Sequence, residues 1–298
     1  MTLTARAFVL NARAKFNVRL EIGGLTPSGL HEVRSVVSDL WVCDEVAFLP
    51  SEAGFSVSCD EASLDGRSNL VWKAAEALGI ELPRVRIHVK KRLPVQSGLG
   101  GGSADGAAAL RGLATLLDGL DVFVSRDRLF EAAARTGSDV PACLVPGIKV
   151  VGGTGEIVHS LPSKAPHWGV LLLKPNVGVP TARAYELLDR FRQAVPGTAN
   201  QRPGTIDELR DALASGDFGR TCALVHNDFQ APVEAAYPQI AEARRRIVSA
   251  GAATTLLCGS GSCVAGIFEN IAEARGALAL VRPAADEWAA ATGFADGQ

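Results

Sequence analysis

Residues 94–110 read PVQSGLGGGSADGAAAL: glycine stands at positions 98, 100, 101 and 102, and an alanine-rich segment follows without a break. So dense a run of glycine lets the backbone turn sharply and come close to a ligand or to another part of the chain. The segment VRIHVKK upstream reads as a strand, and SADGAAALRGLATLLDGL downstream reads as a helix with Ser103 placed to cap it. A helix N-terminus with free N–H groups and a positive dipole end is a ready site for an anion. Two motif readings fail. A P-loop needs Lys and then Ser or Thr after its last glycine, whereas Gly102 is followed by Ser103, Ala104 and Asp105. The dinucleotide pattern G-x-G-x-x-G breaks at Ser103. Taken alone, the loop reads equally as a flexible turn ahead of an ordinary N-cap.

The rest of the chain mixes strands and helices. KFNVRLEI alternates strictly, with Phe16, Val18, Leu20 and Ile22 on one face and Lys15, Asn17, Arg19 and Glu21 on the other. EVRSVVSDLW, DEVAFL and FSVSC are further strand candidates, and SNLVWKAAEAL reads as a helix starting near Ser68 or Asn69. SRDRLFEAAART predicts a helix, and residues 147–165 read as turn. WGVLLLKP opens the second half as a buried strand. Helical patterns follow at TARAYELLDRFRQ, TIDELRDALAS and AYPQIAEARRRIVSAG, then strands at ATTLLCG and SCVAGIF and a closing helix, NIAEARGALALV. Length points the same way, because 298 residues exceed what one hydrophobic core usually serves. Helices between strands in both halves predict two α+β domains, 1–160 and 161–298.

Composition narrows the function. With 30 basic and 32 acidic residues interspersed, the chain lacks the basic footprint of a nucleic-acid binder. No apolar run approaches the roughly 18 residues of a membrane span. The opening MTLTARAFVLNARAKFNV has no long apolar stretch of the secretory kind. Six scattered cysteines without a C-x-x-C pair read as reduced thiols, which fits a cytoplasmic protein. The basic run Lys90, Lys91, Arg92 reads as the solvated end of a strand, with attraction of a nucleotide as the alternative, and Arg244 to Arg246 as an exposed helix face.

PVQSGLGGGSAD resembles the phosphate loop of the GHMP kinases, and within them most that of the 4-diphosphocytidyl-2-C-methyl-D-erythritol kinases of the non-mevalonate isoprenoid pathway. ARAKFNVRLEIGGLTPSGLHEVRSVV, SNLVWKAAEAL, TGSDVPACL, LLLKPNVGVPTARAY, NDFQAPV with YPQI, and LLCGSGSCVAGIF resemble further segments of that family, in the same order. The resemblance implies a two-domain α+β architecture, with an S5-domain-2-like N-terminal domain, a ferredoxin-like C-terminal domain and the active site in the cleft between them. It implies transfer of the γ-phosphate of ATP to the 2-hydroxyl of the cytidine substrate, with Mg²⁺ as cofactor. By the same resemblance Pro94, Ser97, Gly98, Leu99, Gly100, Gly101, Gly102 and Ser103 bind ATP, with Ser103 also reaching the metal. Asp139 is implied as the base that takes the hydroxyl proton, and Lys15 as the cation that steadies it. Asn17, His31, Thr181 and Tyr185 are implied as substrate contacts, with His31 on the cytosine edge and Tyr185 stacked on the ring. The GSGSC loop, Gly259 to Cys263, is implied to line the cleft behind the phosphate loop.

This sequence departs from the family at three positions. Leu30 stands where an aromatic residue would stack on the cytosine, Ala104 where a second serine is usual, and Gln96 where glycine is usual. Leu30 and Gln96 keep open a kinase for another small alcohol, such as homoserine or a sugar. A catalytically idle relative that only binds ligand is the other alternative. The partner expected is a small molecule rather than a nucleic acid or a membrane, and the chain is expected to be a monomer or weak homodimer.

Overall fold

The computed structural model describes residues 7–161, 164–195, 197 and 202–296. Part of the opening stretch and two residues of the 147–165 segment lie outside them. Two long strands, β1 (Phe8–Leu25) and β2 (His31–Pro50), form an antiparallel hairpin at the centre of a seven-stranded sheet. After β3 (Ser56–Cys59), helix α1 (Leu70–Ala77) leads to β4 (Val85–Lys90), which pairs antiparallel with β2 and parallel with β3. Asn69 caps α1, accepting the Val71 N–H at 2.9 Å, as its position predicts.

Helix α2 (Gly101–Asp118) runs back across this sheet, followed by α3 (Arg126–Thr136) and the short α4 (Val140–Leu144). Its alanine-rich composition has a packing cause. The helix buries most of its length, and a Cβ on Gly112 would lie 2.0 Å from the Phe48 ring on β2. Small residues let helix and sheet approach, so the apolar core under α1, α2 and α3 closes on Phe48, Ile87 and Val89.

The segment read as turn instead holds a hairpin, β5 (Lys149–Gly152) and β6 (Ile157–Ser160), with β5 added to the edge of β2. Then β7 (Gly169–Lys174) begins the second sheet. Helices α5 (Thr181–Ala194), α6 (Ile206–Ser215) and α7 (Phe218–Leu224) follow, then the two-residue β8 (His226–Asn227), which pairs with β1 of the first sheet. Helices α8 (Gln230–Ala236) and α9 (Pro238–Ser249) lead to β9 (Thr254–Leu257), β10 (Val264–Phe268), α10 (Ile271–Val281) and β11 (Trp288–Gly293). The four strands are antiparallel in the order β11-β7-β10-β9, the 4-1-3-2 order of a ferredoxin-like βαββαβ unit. The sequence reading stops at α10 and misses β11, because WAAATG carries neither strand alternation nor helix periodicity.

The halves share a core. Phe16, Val18 and Leu40 of the first sheet pack with Trp168, Val170, Leu172, Leu209 and Phe294 of the second half. This covering also explains why the polar face of β1 is not solvated. Arg19 is fully buried and donates to the carbonyls of Pro203, Gly204 and Leu224 and to the Glu21 carboxylate. No helix among the described residues is long and apolar enough to cross a membrane.

Candidate active site

The glycine loop sits between β1, the end of β4 and the GSGSC loop. Gly100, at φ +67°, is the N-cap of α2, so Ser103 lies inside the first turn instead of capping it. The Ala104 N–H donates to Gly100 O at 2.8 Å, leaving the N–H groups of Gly101, Gly102 and Ser103 ahead of the first intrahelical bond. Gly102 is exposed, so this amide end opens to solvent. The glycines also answer to protein. A Cβ on Gly100 would stand 2.5 Å from Lys15 Cγ, one on Gly101 3.2 Å from Leu93 Cβ, and one on Gly102 3.3 Å from Leu70 Cδ1. The triple glycine is needed as much for threading the loop past its neighbours as for admitting a ligand.

Ser97 and Leu99 are buried, and Pro94 is half-buried. Leu99 O accepts the Lys15 backbone N–H at 2.9 Å, while Gln96 O and Ser97 O accept the N–H groups of Ser262 and Cys263, each at 3.1 Å. Gln96 itself adopts φ +52°, the backbone region that glycine favours. At Gly98, φ is +77° and a Cβ would lie 1.7 Å from Cys258 O. The GSGSC loop therefore backs the glycine loop directly. Asn227 holds it from behind, its amide donating to Leu257 O and Gly259 O at 2.8 and 2.7 Å. Cys258 and Cys263 are buried there, packed rather than reactive.

Lys15, on β1, is buried and faces the same space. Its Nζ donates to Asn17 Oδ1 at 2.7 Å and lies 3.3 Å from Asp139 Oδ2. Asn17 in turn donates to Ser35 Oγ at 2.8 Å, which donates to Arg19 O at 2.6 Å. The ammonium is thus fixed by a chain of bonds running into the sheet. Asp139 occupies the N-cap position of α4, yet its side chain makes no capping bond. The carboxylate turns to Lys15 and remains 51% exposed, open to an incoming group. Structure has brought together two residues 124 positions apart in the manner of a base and its orienting cation.

Across from this pair lie the residues expected to hold substrate. Thr181 opens α5, with its hydroxyl 3.3 Å from Ser260 Oγ. Tyr185, one turn on, stacks on His31 with ring centroids 5.0 Å apart and meets Phe229 edge-on at 4.9 Å. Burial first, and the Asp139 charge second, push the Tyr185 phenol up to about 12. His31 is held on both sides, Nδ1 lying 3.1 Å from Gly23 O and Nε2 3.3 Å from Asp189 Oδ2. Its ring covers one face of Tyr185, so the two expected cytosine contacts are paired with each other. Leu30 is 56% exposed beside them.

Two basic runs read as solvated are so only in part: Lys90 and Arg92 are exposed, but Lys91 between them is not. Lys91 is half-buried, its ammonium held between Asp105 and Asp44 with Nζ 2.7 and 2.5 Å from their carboxylates. Burial, opposed by the Lys91 ammonium, pushes the Asp105 carboxyl up to about 7. Arg246 binds Glu287 with both oxygens at 2.7 and 2.9 Å, and Arg244 pairs with Glu234, while Arg245 alone of the three is exposed. Among the described residues no group of three or more His, Cys, Asp or Glu is placed to hold a metal ion.

Comparison with known proteins agrees with this geometry. Family models for the GHMP kinases N terminal domain and the GHMP kinases C terminal match residues 69–147 and 209–282. A 4-diphosphocytidyl-2-C-methyl-D-erythritol kinase of Geobacter metallireducens is 33% identical over 287 residues, covering 94% of this chain and 96% of the relative. A protein of the same name from a Synechococcus species is 37% identical, covering 92% of this chain and 90% of the relative. A crystal structure of 4-(cytidine 5'-diphospho)-2C-methyl-D-erythritol kinase superposes with TM-score 0.75 at 27% identity, covering 96% of this chain and 99% of that one. Homoserine kinase from Cytophaga hutchinsonii shares the fold, with TM-score 0.74 at 19% identity over 100% of this chain and 98% of that one. Matched by both family models and by full-length relatives above 30% identity, the chain belongs to the GHMP kinases.

Proposed function

We propose that this protein transfers the γ-phosphate of ATP to the 2-hydroxyl of 4-diphosphocytidyl-2-C-methyl-D-erythritol. The observation that carries the chemistry is the Lys15–Asp139 pair, 3.3 Å apart beside the glycine loop, with the carboxylate half exposed. The names of the full-length relatives support the substrate.

Phosphoryl transfer asks a protein chiefly for positioned phosphates, charge neutralisation and an oriented hydroxyl. The amide end of α2 at Gly101, Gly102 and Ser103 suits the ATP phosphates, since its N–H groups precede the first helical bond and the loop is open at Gly102. Magnesium, when bound with ATP, supplies neutralisation of phosphate charge, and Ser103 is the hydroxyl that would reach it. With no carboxylate cluster among the described residues to cage the ion, waters and the phosphates themselves would furnish most of its ligands, in keeping with the reluctance of Mg²⁺ to shed water. Asp139 accepts the proton of the substrate hydroxyl. Lys15 donates to that carboxylate and to the reacting oxygen, and Asn17 holds the ammonium in place. Tyr185, Thr181 and His31 form the wall on which the cytidine end rests.

The chain is further proposed to divide near residue 160, with β1–β6 before the boundary and β7 and β9–β11 after it, β8 reaching back to the first sheet. We place the enzyme in the cytoplasm as a monomer or weak homodimer, a reading in keeping with its six free thiols. A second reading, a kinase for homoserine or a sugar, draws on Leu30, which has no aromatic face, and on the His31–Tyr185 stack, in which one face of Tyr185 is already covered.

One assay decides between them: ADP release from ATP with the cytidine alcohol, with homoserine, and with no acceptor. The proposal expects turnover with the cytidine substrate only. Turnover with homoserine alone would overturn it, and ATP binding without turnover on any acceptor would mark an idle relative.

A further inference from the structure

We propose that Asp44, Lys91 and Asp105 form a buried clamp that sets the shape of the ATP phosphate loop, which makes them positioning residues for the transfer. The inference rests on the reading of residues 94–103 as the ATP phosphate site.

The argument starts from where the three side chains come from. Asp44 lies in β2 and is fully buried, Lys91 follows the end of β4, and Asp105 is in the second turn of α2. Asp44 Oδ1 accepts the backbone N–H groups of Arg92 and Leu93 at 2.5 and 2.8 Å, which fixes the entry to the loop. Lys91 Nζ donates to Asp44 Oδ2 at 2.5 Å and to Asp105 Oδ2 at 2.7 Å, which fixes the helix at the loop's exit. Entry and exit are thereby tied to one carboxylate on the central hairpin. The cluster also lies directly under the loop, because a Cβ on Gly101 would be 3.3 Å from both Asp44 Oδ2 and Lys91 Nζ.

Stability alone is a poor account of this arrangement. Buried ion clusters add little over apolar packing of the same volume, and their attested use is to fix one arrangement among several. Asp105 Oδ1 moreover has no hydrogen-bond partner, a cost that a purely structural cluster would avoid. What the charges provide is direction. Strong, oriented bonds at both ends hold the loop amides where the phosphates must lie, and misplacement of about 1 Å costs up to about a hundredfold in rate.

The test uses Lys91→Met, which keeps length and bulk but removes the charge, with Lys91→Arg as rescue and Asp105→Asn as a milder change. Binding of a non-hydrolysable ATP analogue is measured by calorimetry, alongside KM for ATP, KM for the alcohol, kcat and thermal unfolding. Lys91→Met is expected to raise the analogue Kd and the ATP KM about tenfold while the alcohol KM stays within about twofold, and Lys91→Arg to recover most of the loss. Unchanged ATP parameters with a lowered melting temperature would overturn the proposal and leave a folding element only. If Lys91→Met does not fold, Asp105→Asn decides: a rise of about threefold or more in ATP KM supports the clamp, and none overturns it. Failure of the wild-type protein to bind the analogue would instead refute the phosphate-site reading itself.

Discussion

Replacing Gly100 by alanine tests whether the glycine loop sets the position of Lys15, the lysine proposed to steady the base. Gly100 has φ +67°, where an L-residue pays about 1–2 kcal/mol. The added Cβ would stand 2.5 Å from Lys15 Cγ and 3.0 Å from Lys15 Cε. Carbon atoms rest at about 3.5–4.0 Å, so the lysine stem must retreat by roughly 1 Å. Cγ is near the backbone of β1, so rotation of the side-chain tip gives no relief. The retreat carries Nζ away from Asn17 and Asp139, now at 2.7 and 3.3 Å. A shift of about 1 Å at the reacting groups lowers rate by up to about a hundredfold, so kcat should fall about 10- to 100-fold. Overpacking adds about 1–3 kcal/mol of destabilisation. Gly54→Ala is the control, since Gly54 has φ +98° but nothing within 4 Å of a new Cβ. It should lose stability through backbone strain alone and keep its kcat. The assay is steady-state kinetics with urea unfolding on all three proteins. Gly100→Ala with kcat within about twofold of wild type would refute the reasoning, because Lys15 would then be placed independently of the loop.

Leu30→Tyr should lower the KM for the cytidine substrate several-fold, a gain of about 0.5–1.5 kcal/mol from a new stacking face, with kcat nearly unchanged; an unaltered KM in steady-state kinetics would mean that no aromatic ring binds beside residue 30. Asp228 tests the linkage of charge to stability. Burial alone would raise its carboxyl, but hydrogen bonds from His226, Arg202 and the Ile22 N–H together hold it well below its ordinary 3.8. A depressed folded-state value means that the stabilisation is present above about pH 4 and is lost as pH falls further. Asp228→Asn should therefore cost about 3 kcal/mol at neutral pH and progressively less near about pH 3, read by urea unfolding. An equal cost at both pH values would contradict the assignment.

Much of this fold is written locally in the sequence, and the exceptions have a common cause. Strand alternation in β1 and the helices α1, α2, α3, α5, α6 and α9 are visible as periodic patterns, with side-chain caps at the starts of α1, α3 and α6. The single long β2 reads as two strands, EVRSVVSDLW and DEVAFL, parted at Val42 and Cys43, whereas in the fold it runs through, with Asp39 and Asp44 on either side of that gap buried and held by lysines, Asp39 by Lys149 and Asp44 by Lys91. Lys91 reads as solvated because its partners, Asp44 and Asp105, are 47 and 14 positions away. The site divides likewise. The glycine loop and the Asp139 turn are short motifs that carry their chemistry locally. Asp189 against His31, 158 positions apart, and Asn227 behind the GSGSC loop are products of tertiary packing, for which no local spacing gives a signal.

The central claim is that Asp139, steadied by Lys15, takes the proton from the acceptor alcohol, and Asp139→Asn tests it most directly. Asparagine keeps the shape of the side chain and removes its capacity as a base. In single-turnover assays with saturating ATP and cytidine substrate, the phosphoryl-transfer rate should fall about 10²- to 10⁴-fold while ATP affinity stays near that of the wild type. A transfer rate close to wild type, with ATP binding intact, would contradict the account and leave Asp139 as a residue of the α4 turn alone.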